Sequence, residues 1–95
     1  MTLVPLSEKC SVRCVGYEPS RDGMVKVYVL EVAFNRARPP LVLRLTPAQM
    51  SSHTAFKRVM IHRCVPFPLP WNKAVFNSIT RKLFETPPVE LESRP

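Results

Sequence analysis

The longest absence in this 95-residue sequence is of acidic side chains. Between Glu31 and Glu85 there is no Asp or Glu, and the whole chain carries 14 Lys and Arg against 7 Asp and Glu, a formal net charge of +7. Because protein surfaces usually mix both signs of charge, a long one-sign stretch favours a polyanionic partner. Nucleic acid is the commonest such partner, since each neutralised phosphate releases counterions and strengthens binding. The basic residues inside the acid-free stretch are Arg36, Arg38, Arg44, Lys57, Arg58, Arg63, Lys73, Arg81 and Lys82.

Long apolar runs are also missing. No stretch approaches the roughly 20 apolar residues that a membrane span requires, so we expect no membrane partner. Residues 1–6 lack a basic region followed by an apolar run, and we expect no secretory signal. The three cysteines are an odd set, which a disulfide framework would leave unpaired. We therefore expect a cytoplasmic protein in a reducing compartment, including the cytoplasm of an infected host cell.

The residue types of common active sites are scarce. The chain has two glycines, two histidines and a single Asp, so it lacks a glycine-rich phosphate loop and paired carboxylates. We expect no enzyme and no cofactor.

Cys10, Cys14, His62 and Cys64 are residue types that zinc accepts, but their spacing is poor. On a strand, residues four apart are separated by roughly 13 Å, too far for two thiolates to share one ion. We expect buried, apolar cysteines and no metal.

The first half of the sequence predicts three strands. Residues 9–17 alternate between apolar and polar, and Asp22-Gly23 is a strong hairpin signal. Residues 24–35 form a long β-rich run with two largely apolar faces, which predicts a central strand covered on at least one side. A break at residues 36–40 precedes a third short strand, Leu41–Leu45.

The second half changes to helical spacing. Thr46-Pro47-Ala48-Gln49 is a capping-box start, and Ser51 or Ser52 can cap a second start. The apolar stripe of that second helix is Phe56, Val59, Met60 and Cys64, and we expect the helix to end near Arg63.

Alternate prolines in residues 65–70 exclude a helix there and predict a stiff, extended connector. A last helix is expected over residues 71–84. The fold predicted is therefore α+β, a three-stranded antiparallel meander packed against two or three C-terminal helices. Residues 1–85 form one domain, and residues 86–95, rich in Pro and Glu, form a flexible tail.

Basic side chains on the two longer helices and on one loop are the candidate binding residues. Arcs on the helices could form a stripe of phosphate contacts, and the loop tip could enter a minor groove or grip a single strand. Phe67 in the proline run is either an exposed ring that stacks on bases or a pin that holds the connector to the core. The candidates are Arg36, Arg38, Lys57, Arg58, Lys73, Arg81, Lys82 and Phe67.

The order of elements from residue 26 to residue 84 carries a resemblance. An apolar strand and a short strand ending Leu45-Thr46-Pro47 precede Ser51-Ser52, a helix centred on Phe56, a proline-rich loop and a helix led by Trp71. This layout resembles a small accessory domain found beside the motor in helicase and primase proteins of phages and mobile elements. The resemblance implies a replication accessory protein. The chain has no Walker motif, so it is not the motor itself.

The sequence thus favours a small, basic, non-enzymatic nucleic-acid-binding accessory protein of phage or mobile-element origin. One alternative is a protein-interaction module, such as a phage inhibitor that docks on an acidic host protein through Phe67, Leu69 and Trp71. Another is a homodimer formed through the edge of the meander.

Overall fold

A computed structural model of the chain describes residues 3–91. The strands β1 (Val4–Ser7), β2 (Cys10–Pro19), β3 (Lys26–Phe34) and β4 (Leu41–Leu45) precede the helices α1 (Pro47–Met50), α2 (His53–His62) and α3 (Lys73–Leu83). The strands form one antiparallel sheet in the order β1-β2-β3-β4. The α+β class and the antiparallel meander are confirmed, and β3 is central as expected. The prediction of three strands is wrong by one.

The additional strand is β1. Its Pro5 has no amide donor and usually argues against a strand. β1 is an edge strand, however, so one side of its backbone needs no sheet partner. Pro5 is exposed, while Val4 and Leu6 on either side of it are buried. The period of two is present in the sequence but is too short to stand out.

The core lies between the helices and one face of the sheet. Each strand contributes buried residues to that face, including Val12 of β2, Leu30 of β3 and Leu43 of β4. Phe56 of α2 is fully buried, and its ring stacks on Trp71 at 5.8 Å with an interplanar angle of 6°. The indole N–H of Trp71 donates to the carbonyl of His53, so the polar end of this buried ring is satisfied.

Side-chain caps start all three helices, and those of α1 and α2 are where the sequence predicts them. Thr46 and Gln49 form a complete capping box at α1. The hydroxyl of Ser52 accepts from the amide of Ala55 at α2, and the Asn72 side chain accepts from the amide of Val75 at α3. Because Asn72 is the cap, α3 begins two residues later than the predicted start.

α2 ends in a Schellman turn. The amide of Val65 donates to the carbonyl of Met60, and the amide of Cys64 donates to that of Ile61. Cys64 has a φ of 56°, a left-handed conformation that glycine adopts more easily. The turn buries Val65 and directs the chain into the proline-rich connector.

The chain after α3 returns to β2. The amide of Tyr17 donates to the carbonyl of Val89, and the amide of Leu91 donates to the carbonyl of Tyr17. This segment pairs in parallel with β2 beyond the end of β1. A Cβ on Gly16 would lie 2.5 Å from the Val89 carbonyl oxygen, so only glycine permits this approach. The predicted tail thus includes residues bonded to β2, and its residues 92–95 lie outside the described range.

Candidate nucleic-acid interface

A groove of about 490 Å³ runs between the outer strand β4 and helix α2, and we call it the β4–α2 groove. Leu43 and Val59 contribute apolar walls. Its polar lining consists of Arg44, Gln49, Arg58, His62 and Arg63, with no carboxylate among the lining residues. A concave surface lined by one sign of charge focuses the electrostatic potential and concentrates anions.

Helix geometry explains why these cations meet. Phe56 and Met60 fix the buried face of α2. Arg58 and His62 are one turn apart on the flank that faces β4, and Arg63 follows as the C-cap residue. Arg44 of β4 also borders the groove, but it lies between the buried Leu43 and Leu45, so its side chain leaves the strand on the sheet face opposite to α2. The groove therefore depends on α2 packing beside β4.

One of these arginines has an internal partner. Arg44 Nε donates to Glu18 Oε1 at 2.6 Å, in an ion pair that is partly open to solvent and contributes about 0–1 kcal/mol to stability. Among residues 3–91, Arg58, His62 and Arg63 pair with no carboxylate. Much of the groove's positive charge is therefore uncompensated.

A second groove of about 530 Å³ lies at the end of the sheet, and we call it the loop groove. The β3–β4 loop contributes Arg36 and Arg38, and the β1–β2 turn contributes Glu8 and Lys9. Cys64 lines this groove while its neighbour Arg63 lines the β4–α2 groove. The two basic grooves are thus lined by consecutive residues at the end of α2.

The remaining candidate cations lie elsewhere. Lys57 is about 100° around α2 from Arg58. It follows His53 by one turn, and the His53 ring lies 6.4 Å from that of Phe76 on α3, so this flank of α2 faces α3. Lys57 and Arg58 therefore do not share a surface.

α3 separates its own cations in the same way. Lys82 lines a groove beside Val4 and Pro5 of β1, at the opposite edge of the sheet from β4. Lys73 and Arg81 are exposed on α3 outside that groove. Of the eight predicted residues, the structure brings Arg36, Arg38 and Arg58 to the two basic grooves and leaves the α3 cations apart from them.

Phe67 has partners within the chain. It is half-buried against the core, and its ring meets Trp71 edge-on at 5.5 Å. This is the contact expected of a residue that pins the connector to the core. None of the eight aromatic side chains of the protein is exposed.

Arg44, His62 and Arg63 were not among the predicted binding residues. In the sequence, Arg44 occupies an ordinary outward position of a predicted strand. Arg63 lies near the apolar stripe of α2, which indicated only where the helix ends. Their common position becomes visible once the contact between α2 and β4 is known.

Of the three cysteines, Cys10 is buried, Cys14 is half-buried and Cys64 is exposed, so the expectation of buried cysteines is wrong for Cys64. The Cys10 thiol donates to the carbonyl of Pro66. Burial raises the pKa of the Cys14 thiol, with a smaller opposing effect from its hydrogen bond to the Gly16 carbonyl. Within residues 3–91, no group of three or more His, Cys, Asp or Glu side chains is placed to hold a metal ion.

Comparison with protein-family models, with curated proteins and with solved structures finds no match to this chain. No helix among the described residues has the length and apolarity to cross a membrane.

Proposed function

We propose that this protein is a small, non-enzymatic nucleic-acid-binding accessory protein that acts in the cytoplasm, in a phage or mobile-element setting. The β4–α2 groove carries the proposal, because it collects Arg58, His62 and Arg63 from α2 without a carboxylate in its lining. Guanidinium groups are suited to phosphate, since their planar donors match two phosphate oxygens at once.

Binding of this kind is directed mainly at the sugar-phosphate backbone. Such contacts position a protein without reading sequence. We therefore expect similar affinity for oligonucleotides of different sequence, and competition by heparin. With three to four phosphate contacts, affinity for a single strand is expected to fall about 20- to 50-fold between 50 and 200 mM salt.

A pair of charge-matched double variants tests the groove. Arg58→Gln with Arg63→Gln removes two charges from the β4–α2 groove, and Arg81→Gln with Lys82→Gln removes two from α3. All four residues are exposed, so both variants should fold, which thermal melting checks. Fluorescence anisotropy should show at least a 10-fold loss of affinity for the groove variant and a loss below 3-fold for the α3 variant. The salt slope of the groove variant should fall by about 1.4.

Two results would count against the proposal. A flat salt response of the wild-type protein excludes phosphate contacts as the source of binding. Equal losses in the two double variants would show that net charge matters and the groove does not.

A second candidate function rests on Leu69. Its side chain is 82% exposed in the connector, although Val65 and Phe67 of the same segment pack inward. An exposed leucine on a protein with a net charge of +7 is suited to anchoring on an acidic protein partner. In that case a stoichiometric complex with one host protein should be lost in Leu69→Ser and kept in the α3 double variant.

A further inference from the structure

The loop groove is held in shape by contacts between two turns. The amide of Asn35 donates to the carbonyl of Lys9 at 2.9 Å, and the Asn35 side-chain amide donates to the carbonyl of Glu8. These bonds fix the start of the β3–β4 loop against the β1–β2 turn. The loop groove is therefore a built feature and not a gap between free loops.

Arg38 is stacked on an aromatic ring in this groove. Its guanidinium carbon lies 4.1 Å from the centre of the Phe34 ring, which is half-buried against the core. Arg38 itself is exposed, so its guanidinium lies over the Phe34 ring and remains open to solvent. The Phe34 ring thus holds a flat, cationic platform open to a ligand.

Such a platform supplies an exposed flat group on which a base can stack. Proteins that bind single strands stack the bases on exposed aromatic rings or on arginine planes. The aromatic rings of this chain are at least half-buried, several of them in the cluster around Phe56 and Trp71. Arg38 is therefore the group best placed to receive a base.

The two grooves offer one path for a strand. Arg63 lines the β4–α2 groove and Cys64 lines the loop groove, and their Cα atoms are about 3.8 Å apart. The cations of both grooves line concave surfaces of about 500 Å³ and do not form a protruding ridge. Two neighbouring basic grooves, one of them with a stacking platform, suit a flexible strand better than a duplex, whose bases keep their faces inside the stack.

We propose that the partner is single-stranded nucleic acid, with an unpaired base stacked on Arg38 in the loop groove and the adjoining phosphates in the β4–α2 groove. This inference rests on the proposed function. It adds that the nucleic acid is single-stranded and that Arg38 is the residue that favours a single strand over a duplex. DNA and RNA strands share this chemistry.

A substitution that conserves charge separates base stacking on the guanidinium from electrostatic attraction to phosphate. Arg38→Lys keeps the positive charge and loses the plane, and Arg36→Lys makes the same change at an exposed arginine of the same loop for which the structure shows no ring contact. The probes are labelled 12-nucleotide oligo(dT) and oligo(rU), a duplex of equal length, and a 12-nucleotide strand made of abasic sites.

The wild-type protein should bind the single strands at least 10-fold more tightly than the duplex. Arg38→Lys should lose about 5- to 160-fold on the single strands, the range of one lost stacking contact, and less than 2-fold on the duplex. Arg36→Lys should change either affinity by less than 2-fold. The salt slope of Arg38→Lys should equal that of the wild type, and its loss should vanish on the abasic strand.

Equal affinity of the wild type for duplex and single strand, or equal behaviour of the two lysine variants, would overturn this inference and leave the proposed function standing. Lack of salt-dependent binding to all four probes would overturn both.

Discussion

The α-carbon of Gly16 lies so close to the Val89 carbonyl that a methyl group on it would be 2.5 Å from the oxygen and 2.8 Å from Leu91 Cδ2. This approach allows residues 89–91 to hydrogen-bond to Tyr17. Val89 is an exposed side chain, so backbone pairing and Leu91 hold the segment in place.

Gly16→Ala should therefore release residues 89–91 from β2. Overpacking of this kind costs about 1–3 kcal/mol in the free energy of unfolding, which urea denaturation measures. The amide of Tyr17 should lose its protection from hydrogen exchange. Gly23→Ala is the control, because its added methyl meets no atom within 4 Å and only its φ of 72° is strained. Unchanged exchange at Tyr17 in Gly16→Ala would contradict the expected release.

Cys64→Gly should stabilise the protein. A non-glycine residue in the left-handed region costs roughly 1 kcal/mol, and glycine removes this cost in the Schellman turn. Cys64 is exposed, so the lost side chain contributes little packing. Cys64→Ala keeps a Cβ and should show no comparable gain by thermal melting. A destabilised glycine variant would show that the turn is not strained.

The three thiols should react at different rates. Because burial raises the pKa of Cys14, a smaller fraction of it is thiolate near neutral pH, and Cys10 is shielded by the core. The exposed Cys64 should be alkylated first by iodoacetamide, as mass spectrometry of timed samples will show. In Cys64→Ser the fast phase should disappear. A fast phase that persists would mean that Cys14 is more open than the structure indicates.

Acid should weaken the β2–β3 hairpin through Asp22. The Ser20 hydroxyl and the Met24 amide donate to its carboxylate and hold the pKa of Asp22 below its ordinary value. Its contribution to stability is therefore complete above the unfolded-state pKa of about 3.9 and is lost as pH falls through the lower folded-state value. Thermal melting at a series of pH values measures this effect. Below pH 4 the melting temperature of Asp22→Asn should depend less on pH than that of the wild type. An identical pH dependence in both proteins would exclude this role.

Local chemistry made much of the fold predictable. β4 has the predicted bounds, and the caps at Thr46 and Ser52 are where their side chains indicate. These features depend on a few neighbouring residues. β1 was not predicted because Pro5 argues against a strand, and a proline is tolerated there only because β1 lies at the edge of the sheet.

The candidate site was less predictable because it depends on distant contacts. Adjacent helical residues such as Lys57 and Arg58 diverge by about 100°, and which flank meets β4 is decided by packing. Arg44 and Arg63 are 19 positions apart in sequence and line one groove only because α2 lies beside β4. Composition indicates that positive charge is abundant, and the tertiary fold determines where it accumulates.

The closing of the β2 edge by residues 89–91 has a consequence for self-association. Within the described chain β1 is short and carries Pro5, so Leu41–Leu45 is the strand best able to accept a further backbone. Two copies joined along it would form a two-fold pair and could not extend into a fibre.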